Sequence, residues 1–380
     1  MNERRPTVVV CGNTDWHANP LAARPLAEAL ARYVTVLWVD PPISPLTARN
    51  VPERAASLVG PRLRVAAPNV VRLTPVVLPG KDRKGIHRLT SQRLRQSIRH
   101  AVRVMRADVR ALLATAPNLD PFGSAGEDCS VYWVHDDYAS DPDLVGIDRD
   151  TLVRGQQRLA AKADLVLAVS PALVDTFGPL STTPPILFPN ACVIPEITGP
   201  AAPTPDDVVL DTPFAVYAGR LGPRVDLDLL EQCADAHVPL LLIGPRDANW
   251  GGDRFDALVA RDTVQWLGER PSATVPSYLA AAHVGLVPYA NRAFNRASFP
   301  LKVLEYLAVG LPVVSTDLPA MSWFPARWVA PTSDETFARA VASVVRAPID
   351  RRAASDRRVF AGHNTWDARA MTLLELISAS

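Results

Sequence analysis

Two kinds of pattern alternate along the chain. Short apolar runs rich in β-branched residues are separated by stretches whose apolar residues recur every three or four positions. The first kind reads as buried strand and the second as amphipathic helix. In the first half, residues 7–12 (TVVVCG), 34–40 (VTVLWVD), 70–77 (VVRLTPVV), 131–135 (VYWVH) and 164–170 (DLVLAVS) read as strands. Residues 21–33 read as a helix, and 86–114 as one long helical stretch. In the second half, 214–219, 238–244, 264–268, 284–289 and 311–316 read as strands, and the tail from Trp366 to Ile377 as a last helix. Near-continuous apolar strands interleaved with helices predict α/β layers around parallel sheets. The pattern implies two successive Rossmann-like halves with a cleft between them, and ligands bind at the carboxyl ends of such strands. Residues 191–212 hold four prolines and no period. The domains are therefore expected at 1–192 and 213–362, with a linker at 193–212 and a C-terminal segment at 363–380.

Composition agrees with this division. The 380 residues suit two domains of about 190. Apolar residues at 48% and charged residues at 21% exclude global disorder and a collagen-like fibre. Forty basic residues against 39 acidic ones leave a net charge of +1, so the chain is no polycation built for nucleic acid. Its four cysteines have no CxxC spacing, which excludes a zinc or disulfide framework. No apolar run reaches the length of a signal peptide core or a membrane span, so a soluble, cytoplasmic protein is expected.

The most informative stretch is 297–316, ASFPLKVLEYLAVGLPVVST. Pro300 suits a first helical turn, Gly310 a left-handed helix end, and Pro312 a stop. The helix N-terminus offers backbone N–H groups to an anion. Lys302 in the first turn is electrostatically misplaced unless an anion accompanies it. Glu305 follows three residues later, placing a cation for phosphate and an acceptor for sugar hydroxyls on one face. Spacing alone equally allows a surface ion pair between Lys302 and Glu305.

The segment resembles the donor-binding signature of GT-B glycosyltransferases of the large retaining family 4, E-x-F-G-x-x-x-x-E-A-x-A-x-G-x-P-V-V. The resemblance implies that Glu305 holds the ribose and that the backbone of Phe299, Pro300, Leu301 and Lys302 faces the diphosphate. The signature's first glutamate falls on Ala297, which puts the usual sugar contact in doubt; Ser298 or Asn295 is an alternative. Residues 217–230 (YAGRLGPRVDLDLL) resemble the family's G-R-L loop, with Gly219 allowing close approach and Arg220 meeting the diphosphate. Where the family often has lysine, this chain has Val225, so a clamp of Arg220, Arg224 and Lys302 is expected. Gly268, Glu269 and Arg270, in VQWLGERP, fall on the loop that holds the base. In the first half, TDWHANPLAARPLAEALARYVTVLWVDPP (14–42) is similar to a subgroup that includes teichuronic-acid-type sugar transferases. The resemblance implies that Gly12 approaches the donor phosphate, that Asp15, Trp16, His17 and Asp136 lie on the acceptor side, and that His135 contacts the donor sugar. A strand-end histidine such as His135 is also a common structural residue, and Arg220 is equally readable as a loop arginine in a salt bridge.

The implied protein is a bacterial GT-B enzyme of polysaccharide or glycoconjugate biosynthesis, with its last helix returning to the first domain. It would move a sugar from a nucleotide-diphosphate donor to a sugar, lipid-linked or small-molecule acceptor, with retention, and with no metal and no cofactor. The rival readings are a non-catalytic nucleotide-sugar-binding partner protein, motivated by Ala297 and Val225, and a nucleotide-sugar 2-epimerase. Residues 81–110 stand apart, with ten Lys/Arg and two Asp giving a local net charge of +8. Leu94, Ile98, Val102, Met105 and Val109 form an apolar stripe, each followed by an arginine. This reads either as a core-packed helix with a solvated basic edge or as peripheral membrane contact through 86–113 at the inner face of the membrane. No aromatic platform for nucleic acid accompanies it.

Overall fold

The computed structural model describes residues 5–18, 22–46, 62–80, 86–142, 146–196 and 203–380. The chain forms two compact units, Met1–Asn190 with Trp366–Ser380, and Ala191–Thr365.

The first unit holds an eight-stranded sheet. Its strands are β1 (Pro6–Cys11), β2 (Thr35–Val39), β3 (Leu63–Ala67), β4 (Val70–Leu73), β5 (Asp108–Ala114), β6 (Cys129–Val134), β7 (Leu165–Ala168) and β8 (Ile186–Leu187), in the order β3-β4-β2-β1-β5-β6-β7-β8. All neighbours pair in parallel except the edge strand β3, which runs antiparallel to β4. Val8, Val9, Val10, Leu37, Trp38, Leu112, Leu113 and Trp133 are wholly buried, as expected where helices cover both faces. The helices of this unit are α1 (Ala23–Leu30), α2 (Ile86–Met105), α3 (Arg149–Lys162), α4 (Pro171–Phe177) and the C-terminal Trp366–Ala379. The terminal helix is tied in by Asp367, which accepts from Arg32 and from the Tyr33 hydroxyl, and by Arg369, which donates to the Pro189 carbonyl. No helix among the described residues is long and apolar enough to cross a membrane.

One expected element is corrected. The long helix of 86–114 is two elements, because α2 ends at Met105 and residues 108–114 become β5, paired with β1 and β6 at the centre of the sheet. Arg106, in the left-handed region at φ 51°, makes the break. Val109 therefore belongs to the sheet core and not to the helix stripe, and Arg110 pairs with Asp108 and Asp128. The edge strand β3 was also not expected.

The second unit holds a six-stranded, wholly parallel sheet: β9 (Ala215–Ala218), β10 (Leu240–Ile243), β11 (Val264–Trp266), β12 (Val284–Val287), β13 (Val313–Thr316) and β14 (Val329–Thr332). Its order, β11-β10-β9-β12-β13-β14, is the doubly wound 3-2-1-4-5-6 arrangement. Its helices are α5 (Leu227–Asp235), α6 (Gly252–Val259), α7 (Val275–Ala281), α8 (Ala293–Ala297), α9 (Leu301–Val309), α10 (Asp334–Arg346) and α11 (Arg351–Gly362); Trp366–Ala379 of the first unit is α12. Part of the stretch expected as linker packs on this unit. Asp207 accepts from Arg270 and Tyr278, and the Val209 N–H donates to Gln265. Residues 197–202 of that stretch lie outside the described residues.

Candidate functional site

In a doubly wound sheet the connections change direction between the first and fourth strands, and ligands bind outside the carboxyl ends there. In the second unit those strands are β9 and β12. They pair only at Ala215–Val284 and Val216–Gly285 and then part. Where the ladder ends, the Tyr306 hydroxyl replaces it. The hydroxyl accepts from the Ala218 N–H at 3.0 Å and donates to the Leu286 carbonyl at 3.2 Å. The tyrosine ring lies so close over Gly285 that a Cβ there would fall inside it. Helix α9 is thereby pinned across the switch point.

Lys302 lies one turn nearer the helix N-terminus than Tyr306. Only 8% of it is exposed, and its Nζ is 3.9 Å from the Tyr217 ring centroid and 4.9 Å from that of Tyr289. Among the described residues no carboxylate pairs with it. Burial would lower the ammonium's pKa, but attraction to the Tyr217 and Tyr289 oxygens outweighs it, and the net shift is upward. Lys302 is thus a cation throughout the physiological range. Tyr289 feels burial, which would raise its pKa, yet Lys302 and Arg224 together pull it below the ordinary phenol value. A Cβ on Gly219 would come within 2.7 Å of the Lys302 Nζ, and the residue's φ of +148° strains any side chain. Glycine is therefore required beside the ammonium.

Helix α9 starts after Pro300 with no side-chain cap and no acidic residue in its first turn. Its leading N–H groups and Lys302 present uncompensated positive charge at one point. Gly310, at φ 91°, ends the helix as expected. Glu305 is exposed one turn beyond Lys302, which is buried, and among the described residues no ion pair joins the two as spacing allowed. Surrounding protein raises the Glu305 carboxyl pKa, against a downward pull from Lys302. Arg220, which follows β9, is an exposed cation. Its side chain is 65% exposed and pairs with Asp247 at 2.5 Å.

Several expected donor contacts are turned inward. Arg224 donates from Nε to Asn295 Oδ1 at 2.9 Å and from its NH2 nitrogen to the Ser298 hydroxyl at 2.8 Å. Its guanidinium stacks between Tyr289 and Phe294, at 4.8 and 5.1 Å. Asn295 returns bonds to the Arg224 and Ala290 carbonyls. Arg224 is thus a staple between the loop after β9 and the segment entering α9, and Val225 beside it is buried against Tyr289. The expected three-cation clamp reduces to Lys302 and Arg220. Ser298 is committed to this staple, and Phe299 to an aromatic cluster with Trp323 and Phe324 at 5.4 and 5.3 Å. Of that stretch, Pro300 and Leu301 contribute backbone. Arg270 faces Asp207 and the Leu267 carbonyl, leaving Gly268 and the exposed Glu269 at the end of β11. We expect Arg224→Ala to destabilise the second unit by about 2–4 kcal/mol, since two buried polar partners lose their bonds. Hydrogen exchange across 289–298 should quicken accordingly; unchanged protection there would return Arg224 to a ligand-facing role.

The first unit has the same kind of switch point between β1 and β5. Gly12 follows β1 and donates to the Val39 carbonyl, and the Thr115 hydroxyl bonds the Cys11 carbonyl. Asn13 donates to the Tyr138 hydroxyl at 3.1 Å, while its Oδ1 is buried with no partner. His135 directly follows β6, 6% exposed and edge-on to Trp133 at 4.0 Å, and among the described residues its Nε2 has no hydrogen-bond partner. Burial drives its pKa down to about 3, so the imidazole is neutral. Asp136 is half-buried beside it.

The expected acceptor-side residues divide. Asp15 and Trp16 are buried in a structural network, and only His17 is exposed. Asp40 is the hub of that network. It accepts from Arg72 Nε at 2.6 Å, the Thr74 hydroxyl at 2.6 Å, Trp38 Nε1 at 3.0 Å and the Trp16 N–H at 3.1 Å. Asp15 takes the other arm of Arg72 at 2.8 Å. Sequence reasoning did not single out Asn13 and Tyr138 in the first unit, which follow β1 and β6, or Tyr217 in β9 and Tyr306 in α9 of the second.

Residues 213–347 match the family model described as glycosyl transferases group 1. Over 123 residues the chain is 34% identical to TuaH of Bacillus subtilis (strain 168), a protein assigned as a teichuronic acid biosynthesis glycosyltransferase. The match covers 31% of this chain and 31% of that relative's length. Among solved structures, sucrose-phosphate synthase from Thermosynechococcus elongatus is similar with a TM-score of 0.72 and 18% identity, covering 99% of this chain and all of the other. Anabaena Alr3699/HepE in complex with UDP-glucose is similar at a TM-score of 0.65 and 16% identity, over 99% and 100% of the two chains. Residues 213–347, which contain Lys302, Glu305 and Arg220, thus match a group 1 glycosyl transferase model, in a chain with the two-sheet GT-B fold.

Proposed function

We propose that the protein is a glycosyltransferase that moves a sugar from a nucleotide-diphosphate donor to an acceptor hydroxyl. The reading is carried by Lys302, a buried, permanently charged ammonium with no carboxylate partner among the described residues, set at the switch point of the group 1 domain. A buried cation in that position is completed by an anion brought from outside. HepE, of the same fold, was crystallised with UDP-glucose, in keeping with such a donor.

In this reading the bond from the anomeric carbon to the diphosphate breaks as the acceptor oxygen forms its own bond and loses its proton. The transition state has oxocarbenium character by analogy with glycoside hydrolysis. Charge grows on the leaving diphosphate, and Lys302, Arg220 and the N-terminus of α9 are placed to stabilise it, so the charge is assigned to the protein and not to a metal or cofactor. Glu305 holds the ribose hydroxyls. His135 is neutral, so it serves the transferred sugar as a hydrogen-bonding group through Nε2. Retention of configuration and a polysaccharide, lipid-linked or natural-product acceptor belong to the same proposal.

A panel of nucleotide sugars, scored for binding and then for turnover with and without acceptors, tests it. Donor consumption that depends on acceptor is expected. Binding without turnover across the acceptor panel would identify a partner protein, and acceptor-independent isomerisation an epimerase. Glu305→Ala is expected to weaken donor binding about 10- to 100-fold, the scale of a hydrogen bond to a charged group. Full affinity in that variant would remove Glu305 from the site.

A further inference from the structure

The proposed reaction makes no use of helix α2. Its 20 residues include five arginines and no acidic residue, and its first turn has no carboxylate. Thr90, Leu94, Ile98 and Ala101 are buried and fasten one side to the unit. On the other side, Arg88, Arg95, Arg99 and Arg103 recur at seven- and four-residue spacing, which aligns them in one stripe about 22 Å long. Arg88, Arg93, Arg99 and Arg103 are exposed.

None of these arginines pairs with a described carboxylate. In the second unit Arg220, Arg246, Arg254, Arg261 and Arg270 each pair with Asp or Glu at 2.5–3.0 Å, a compensation that the α2 arginines lack among the described residues. Like charges four residues apart weaken a helix, and Arg88 near the N-terminus opposes the helix dipole. Among the described residues no carboxylate compensates these unfavourable terms. Leu89 and Val104, 47% and 59% exposed, lie on the same outward side.

From this we infer that α2 is a docking face for an anionic lipid surface. Phospholipid headgroups supply the missing negative charge, and the interfacial layer accepts Leu89 and Val104. A nucleic acid would supply charge but no place for exposed aliphatic side chains, and the helix has no Phe, Tyr or Trp on which bases could stack. The inference is independent of the proposed reaction, since it uses none of the same residues.

Co-sedimentation of the full chain with lipid vesicles tests it. The protein should bind vesicles containing about 30 mol % phosphatidylglycerol and largely ignore pure phosphatidylcholine, with binding falling as salt rises. The triple variant R88Q/R99Q/R103Q should lose about a hundredfold in partition, at about fivefold per arginine, with its thermal midpoint unchanged. Leu89→Ser with Val104→Ser should weaken binding while preserving its salt dependence. Equal partition to both vesicles, or wild-type binding by the triple variant, would overturn the inference. Release from the vesicles by stoichiometric RNA would overturn it in favour of nucleic acid.

Discussion

Lys302→Met lowers turnover by about 10²- to 10³-fold, the cost of removing one preorganised charge from a developing anion. In the free protein the ammonium is out of water, with the Tyr217 and Tyr289 rings at 3.9 and 4.9 Å, and attraction to their oxygens more than offsets its burial. The substitution therefore also costs the second unit these contacts, about 2 kcal/mol for a desolvated cation–π pair. A purely structural lysine would lose that stability with turnover kept. Steady-state kinetics on the preferred donor, paired with denaturant unfolding, separates the two. Unimpaired turnover by Lys302→Met would sink the assignment of the diphosphate site.

The largest effect on stability is expected at Asp40, far from that chemistry. Asp40→Ala should cost the first unit about 3–5 kcal/mol, the range for breaking a buried ion pair from one side. The substitution leaves the Arg72 guanidinium with Asp15 alone, and strips acceptors from Thr74, Trp38 Nε1 and the Trp16 N–H. Asp40→Asn keeps the shape and loses the charge, so it should fall between wild type and alanine. Hydrogen exchange is the suitable measurement, because it resolves the two units. Amides of Val8–Val10 and Val36–Val39 should exchange roughly a hundred- to several-thousand-fold faster, while those of β9 and β12 keep their rates. Equal loss in both units, or less than about 1 kcal/mol in the first, would contradict the hub assignment.

How far the sequence led is clearest at α9. Pro300, Gly310 and the apolar run behind them act locally, so helix, stop and strand were legible without knowledge of anything distant. Lys302 was legible for a similar reason, being a cation in a first turn, where the helix dipole disfavours it. Residues 108–114 were not. Asp-Val-Arg-Ala-Leu-Leu-Ala is built from good helix formers and continues the preceding period, and its fate is set by β1 and β6 on either side. No glycine or proline marks the break at Arg106. The inward-facing residues were hidden by chain separation. Asp15 meets Arg72 57 residues away, and Arg224 meets Asn295 and Ser298 71 and 74 residues away. A single sequence shows that such residues are polar, but not whether they face a ligand or one another.

The turn after β1 has a consequence for inheritance. A Cβ at position 12 would fall inside the Trp38 indole, and that indole cannot swing aside because its Nε1 is bonded to Asp40. Positions 12 and 38 therefore share one volume, and substitutions at them are ordered in time. A lineage can shrink Trp38 first, accept a cavity, and fill it later from position 12. The opposite order passes through a chain in which two side chains claim the same space. Among descendants of this sequence, any residue other than glycine at 12 should occur only beside a smaller residue at 38.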